Sequence, residues 1–88
     1  MANVIQLTTK ADKQLSRIDS RYQTAIIKAI EQLADFPSIT LDIRKLKGQE
    51  SQYRARVGRY RILFEWIDGS PKIIEIQAVL KRDEQTYQ

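Results

Sequence analysis

The sequence predicts an α+β domain in which a strand and two helices precede three antiparallel strands, with the helical pair packed on one face of a curved sheet. Three observations lead to this prediction: helix-period apolar stripes in the first half, period-two alternation in the second half, and short turn signals between the later strands. Strands joined by short turns are antiparallel neighbours. Residues 1–88 have the length of a single domain with a modest core.

The first elements follow from β-branched residues and helix-capping residues. The run Val4 to Thr8 predicts a strand. Thr8 or Thr9 can cap the first helix, and Asp12 falls in its first turn, where the helix dipole favours an acid. The apolar face of this helix comprises Ala11, Leu15 and Ile18.

A second helix begins near Ser20, because Ser20 and Gln23 have the spacing of a capping box. Its apolar stripe consists of Tyr22, Ile26, Ala29, Ile30 and Leu33. Pro37 ends the helix. From Ser38 to Gln52 the periodicity fades, which predicts an irregular connection, and Gly48 is expected to adopt a backbone conformation that other residues resist.

The segment from Gln52 to Trp66 alternates between apolar residues and mostly polar or basic ones, as a half-buried β-hairpin does. Gly58 and Arg59 form a two-residue loop with glycine at the first position, as a type II′ turn requires. Asp68 to Pro71 is a further turn signal, and a third strand follows from Ile73 to Leu80. Its predicted core parity comprises Ile74, Ile76, Ala78 and Leu80.

The hairpin register brings three arginines together on the face away from the core. If Val57 pairs with Tyr60, Arg56 lies opposite Arg61, and Arg54 lies beside them. Like charges directly opposite each other cost a few tenths to about 1 kcal/mol. The cluster therefore indicates an anionic ligand, since guanidinium groups bind phosphate oxygens bidentately. The alternative is a solvated face on which arginine serves only solubility.

The positive charge of the chain is concentrated around this hairpin. The net charge is +4, yet the stretch from Arg44 to Arg61 alone holds seven basic residues and one acid. Such a patch is typical of nucleic-acid binding and is also compatible with an acidic protein partner. Further candidate contacts for RNA are Arg44, Lys45, Lys47, Arg59 and Lys81.

Composition narrows the chemistry. The sequence has no cysteine and no histidine, which excludes disulfides, thiolate nucleophiles and the commonest acid–base and metal-binding side chain. We therefore expect a site without metal or cofactor. RNA suits such a site because its own 2′-OH can attack the adjacent phosphodiester while guanidinium groups stabilise the growing charge. The chain has neither a membrane-length apolar run nor a signal peptide, so we expect a cytoplasmic protein.

Three segments carry a family resemblance: LKG (Leu46 to Gly48), then YRARVGRYRILFEW, then KRDEQTY (Lys81 to Tyr87). In this order and spacing they resemble the RelE branch of the RelE/ParE superfamily of bacterial toxins. The resemblance implies one RelE-like domain over residues 1–88 that cleaves mRNA in the ribosomal A site by 2′-OH attack. It also implies a cognate antitoxin, and contact with operator DNA only through the toxin–antitoxin complex. The catalytic residues that it implies are Arg54, Arg56, Arg61, Arg82 and Tyr87.

Two points stay open at the level of sequence. Arg54 and Arg56 stand where the best-known member has lysines, and arginine does not lose its proton, so the proton acceptor is Glu50, Tyr87 or none. The alternative functions are a ParE-like inhibitor that binds DNA gyrase without cleaving RNA, and a nuclease-inactive member of an operator-binding complex.

Overall fold

The computed structural model of the chain describes residues 2–46, 48 and 50–81. Within them, two helices pack on a five-stranded mixed sheet, which confirms the predicted α+β class. No described helix is long and apolar enough to cross a membrane. The elements, in chain order, are β1 (Val4–Leu7), α1 (Thr9–Ser16), α2 (Ser20–Gln32), a 3₁₀ turn (Leu33–Asp35), β2 (Asp42–Lys45), β3 (Gln52–Val57), β4 (Tyr60–Ile67) and β5 (Ile73–Lys81).

The sheet has the strand order β1-β5-β4-β3-β2. The three strands β3, β4 and β5 are antiparallel neighbours, as predicted, and β1 runs parallel to β5 at one edge. The prediction of an irregular connection between Ser38 and Gln52 was wrong, because β2 pairs with β3 at the other edge. This strand is short and three of its four residues are charged, as is common at sheet edges. The alternation of Ile39, Leu41 and Ile43 was the signal for it.

The helix boundaries follow from two capping side chains. Thr8 caps α1, and its Oγ1 accepts a hydrogen bond from the backbone N–H of Ala11 at 3.1 Å. The capping box predicted for α2 was wrong, because Asp19 caps this helix and accepts from the N–H of Arg21 at 2.9 Å. That bond, and then the Arg21 side chain, lower the pKa of Asp19. Gln23 instead donates to the carbonyl of Leu15 at 2.8 Å and so links the two helices.

The core lies between the helices and one face of the sheet. Phe36, just after the 3₁₀ turn, is at the centre of an aromatic cluster, with ring centroids 5.2 Å from Tyr53, 5.5 Å from Phe64 and 4.7 Å from Trp66. The buried core residues are Ala11, Ile26, Ala29, Ile30, Leu33, Phe36, Ala55, Tyr60, Ile62, Phe64, Ile74, Ile76 and Val79.

A β-bulge in β5 changes which residues of this strand face the core, so the predicted set was partly wrong. Phe64 pairs with Ile76 but Leu63 pairs with Ala78, so Gln77 is an extra residue. Beyond it, Val79 joins the core. Ala78 and Leu80 belong to the other face of the sheet, contrary to the prediction.

Asn3 is a buried polar residue that holds the chain start to the core, with 7% of its surface exposed. Its Nδ2 donates to the carbonyls of Leu33 and Phe36, both at 3.0 Å. Its Oδ1 accepts from Nε1 of Trp66 at 3.1 Å. Each polar atom of the side chain is therefore paired, as burial demands.

We expect Asn3→Leu to lower the free energy of unfolding by about 1–3 kcal/mol, because it leaves buried polar groups without partners. Urea denaturation followed by circular dichroism measures the change. Gln6→Leu is the matched control, since Gln6 is exposed on β1 and the substitution there is worth less than about 0.5 kcal/mol. Equal denaturation midpoints for the two variants would contradict a structural role for Asn3.

Candidate active site

The β3–β4 hairpin has the register that the sequence predicts. Gly58 has a φ of +57°, a left-handed conformation that favours glycine at the first position of a two-residue loop. Val57 pairs with Tyr60, Arg56 with Arg61, and Arg54 with Leu63. Because the apolar side chains occupy the core face, the arginines share the opposite face.

We call this surface, the face of the sheet opposite the helices, the arginine face. Two rows of residues cross it from β2 to β5. The first row is Asp42, Arg56, Arg61 and Leu80, and the second is Arg44, Arg54, Leu63 and Ala78. Four guanidinium groups therefore lie in two adjacent rows, bordered by apolar residues on the β4–β5 side.

The electrostatics of the cluster are those of crowded cations. Partial burial, followed by the neighbouring charge of Arg56, lowers the pKa of Arg54, while Asp42 opposes this effect. The ion pair between Asp42 Oδ2 and Arg56 Nη1 is long, at 3.9 Å. Nε of Arg56 and Nε of Arg61 are buried and have no hydrogen-bond partner within the described part of the chain. The cluster thus has unused donors and excess positive charge, which together suit a phosphate group.

The other predicted contacts with RNA divide into those on this face and those elsewhere. Arg44 lies on it, opposite Arg54. Lys45 pairs with Tyr53 and Lys81 pairs with Tyr60, and both tyrosines point to the core face. Neither lysine therefore lies on the arginine face.

Arg59 lies at the hairpin loop, with its guanidinium carbon 5.9 Å from the ring centroid of Tyr22 on α2. It is therefore directed to the helical side of the sheet. Lys47, Arg82 and Tyr87 lie outside the described residues.

Sequence reasoning missed two carboxylates of this face, Asp42 and Glu75. Asp42 was missed because β2 was taken for a loop. Glu65 and Glu75 face each other across β4 and β5, and Nε2 of Gln77, the bulge residue, donates to Glu65 at 3.3 Å and to Glu75 at 3.2 Å. The Gln77 amide offsets the repulsion between the two carboxylates. Gln77 reaches both of them because it is the bulge residue.

Comparison with known proteins places this chain in one class, the small toxins of type II toxin–antitoxin systems. Over residues 5–86 the chain matches the family described as the ParE toxin of the type II system parDE. A search of curated protein sequences gave no significant match.

Similar solved structures come from the RelE branch. The toxin of the RelB–RelE complex of Methanococcus jannaschii is 32% identical, with 88% of this chain and 89% of that chain covered and a TM-score of 0.70. The RelBE2 complex of Mycobacterium tuberculosis gives 25% identity, 93% and 100% coverage, and a TM-score of 0.76. Isolated RelE of E. coli is 19% identical, with 97% of this chain and 89% of that chain covered and a TM-score of 0.79. The chain belongs to the ParE toxin family and is a RelE-type toxin of the RelE/ParE superfamily.

We expect Arg61→Met to raise the free energy of unfolding by a few tenths to about 1 kcal/mol, because it removes the charge directly opposite Arg56 and keeps the aliphatic stem. Urea denaturation at low and high salt measures the free energy of unfolding. High salt should reduce the difference between the variant and the wild type, because it screens the repulsion. Lys28→Met on the exposed side of α2 is the control. A destabilised Arg61→Met variant would show that the arginines are not in conflict.

Proposed function

We propose that this toxin is a ribosome-dependent mRNA endoribonuclease, the activity that its resemblance to RelE toxins implies. One observation carries the proposal: four guanidinium groups occupy adjacent rows of one sheet face, and two of their Nε atoms lack partners among the described residues. Repulsion makes such an arrangement unfavourable by itself, and an RNA phosphate relieves it.

The proposed reaction depends mainly on the positive charge of these arginines. The 2′-oxygen of the substrate attacks the adjacent phosphorus, the bond to the 5′-oxygen breaks, and negative charge grows on the non-bridging oxygens. Donors fixed before the reaction stabilise this charge more in the transition state than in the ground state. In our proposal Arg56 and Arg61 bind the reacting phosphate, and Arg54 and Arg44 bind the next one along the strand.

The remaining roles follow from the resemblance. Arg82 would add a further charge at the phosphate and Tyr87 would stack on a base of the codon. Lys45, Lys47, Arg59 and Lys81 would contact the ribosome or RNA outside the reacting centre. The substrate implies a cytoplasmic location.

We further propose a cognate antitoxin that covers the arginine face with an acidic or helical segment. Several similar toxins were crystallised as complexes with RelB antitoxins. A disordered acidic segment that folds on binding would neutralise the cluster. Operator DNA would be bound only by the toxin–antitoxin complex.

A second candidate function is inhibition of DNA gyrase by binding, which the match to the ParE family favours. The two functions predict different cellular damage. A nuclease produces codon-phased 5′ ends on translated messages soon after induction, whereas a gyrase inhibitor causes DNA damage and blocks supercoiling in vitro. Mapping of mRNA 5′ ends beside a supercoiling assay separates them.

We expect Arg61→Ala to reduce mRNA cleavage on programmed ribosomes by about 10²- to 10³-fold, because it removes a donor to the charge that develops in the transition state. Single-turnover cleavage of labelled mRNA measures the rate constant. A substrate with a 2′-deoxy nucleotide at the cleaved position should resist the wild-type protein, since the nucleophile is missing.

Lys28→Ala, on the helical side, is the control and should cleave at the wild-type rate. A thermal midpoint for Arg61→Ala that is no lower than that of the wild type shows that folding is intact. Full activity of Arg61→Ala would refute the assignment of the site.

A further inference from the structure

RNA cleavage requires one function that the four arginines of this face do not supply, a group that accepts the proton of the 2′-OH. Arginine cannot do so, because its guanidinium stays protonated. We propose that Asp42 is this general base, an assignment that rests on the proposed ribonuclease function.

Asp42 stands at the end of the row that holds the proposed phosphate site. Its Cα pairs with that of Arg56, which pairs with that of Arg61, so carboxylate and two guanidinium groups follow one another across three strands. Adjacent strands lie about 4.8 Å apart, so Asp42 and Arg61 are about 10 Å apart at the backbone. A ribose and its 3′-phosphate fit this interval, with the phosphate on the guanidinium groups and the 2′-OH towards the carboxylate.

The contact between Asp42 and Arg56 leaves both groups available. At 3.9 Å it is about 1 Å longer than the roughly 2.7–2.9 Å of a tight charge-assisted hydrogen bond. The side chain of Asp42 is 51% exposed, and no other donor in the described residues binds its oxygens. A phosphate oxygen can therefore approach Nη1 of Arg56 while the carboxylate keeps its capacity to accept a proton.

The other carboxylates of this face are already engaged. Oε2 of Glu65 accepts from Oγ of Ser51 at 3.0 Å, and its Oε1 accepts from Nε2 of Gln77 at 3.3 Å. Glu75 shares the same amide. Glu65 is also two rows away from Arg61 along β4, and Glu50 is exposed outside the strands. Asp42 alone among these acids combines free acceptor capacity with a place in the Arg56–Arg61 row.

The step balances without a metal or a further reactant. The 2′-OH proton passes to a carboxylate oxygen of Asp42 as the 2′-oxygen bonds to phosphorus. The bond from phosphorus to the 5′-oxygen breaks, and that oxygen takes a proton from water. The products are a 2′,3′-cyclic phosphate and a 5′-hydroxyl, and Asp42 returns its proton to the solvent.

The pH dependence of single-turnover cleavage on saturated ribosome complexes tests this role. If Asp42 accepts the proton, cleavage does not depend on hydroxide, so the wild-type rate constant should be level from about pH 6 to 9. In Asp42→Asn the 2′-OH must be deprotonated by hydroxide. Its rate constant should fall by about 10²- to 10⁴-fold near neutral pH and then rise tenfold per pH unit. Asp42→Glu should keep a level profile.

Glu65→Gln is the matched control, because it removes a charge from the same face at a carboxylate that is already hydrogen-bonded. It should keep the level wild-type profile. A level profile for Asp42→Asn would reduce Asp42 to a partner that orients Arg56, and a sloping profile for Glu65→Gln would transfer the role to Glu65; each overturns the assignment. Wild-type protein that cleaves nothing would instead refute the ribonuclease function itself.

Discussion

The register of the β3–β4 hairpin is the constraint on which the rest of the structure depends. Gly58 closes the loop, and the alternation of the two strands sends Ala55, Ile62 and Phe64 into the core, where each is fully buried. A slip of one residue would exchange every side chain between the two faces. Burial on one face therefore dictates that Arg54, Arg56 and Arg61 gather on the other.

The magnitudes show why the fold tolerates this cluster. Full burial of one large apolar side chain is worth about 1.5–3 kcal/mol, and the hairpin buries Ile62 and Phe64 beneath the helices. A directly opposed pair of like charges costs about 0.2–1 kcal/mol. Burial on the core face thus outweighs the repulsion on the arginine face, so the hairpin keeps a register that crowds its arginines.

What the sequence could predict depended on how local its signals are. A glycine loop between two alternating runs determines its own pairing, so the pairing of Arg56 with Arg61 followed from the hairpin alone. The strand β2 depends on a partner elsewhere in the chain, and its charged residues hid the alternation of Leu41 and Ile43. Asp42 was missed for that reason.

The bulge at Gln77 was also beyond local reasoning. Nothing in the run from Ile73 to Leu80 marks an extra residue, and its position appears only from the pairing of β4 with β5. Its consequence is large, because Ala78 and Leu80 become the apolar border of the arginine face. The alternation of side chains along each strand likewise explains why Lys45 and Lys81 do not lie on the arginine face.

The family match is to a ParE toxin and the similar structures are of RelE toxins, so the remaining question is whether this face only binds or also reacts. A surface that only binds an anion has its highest affinity when it carries no negative charge. A carboxylate at the end of the row that holds the phosphate site works against such binding, because it repels the anion and partly neutralises the positive charge of Arg56. Asp42, half exposed beside Arg56, would therefore weaken anion binding if this face served only to bind. For a nuclease whose guanidinium groups cannot take a proton, the same carboxylate supplies the missing acceptor.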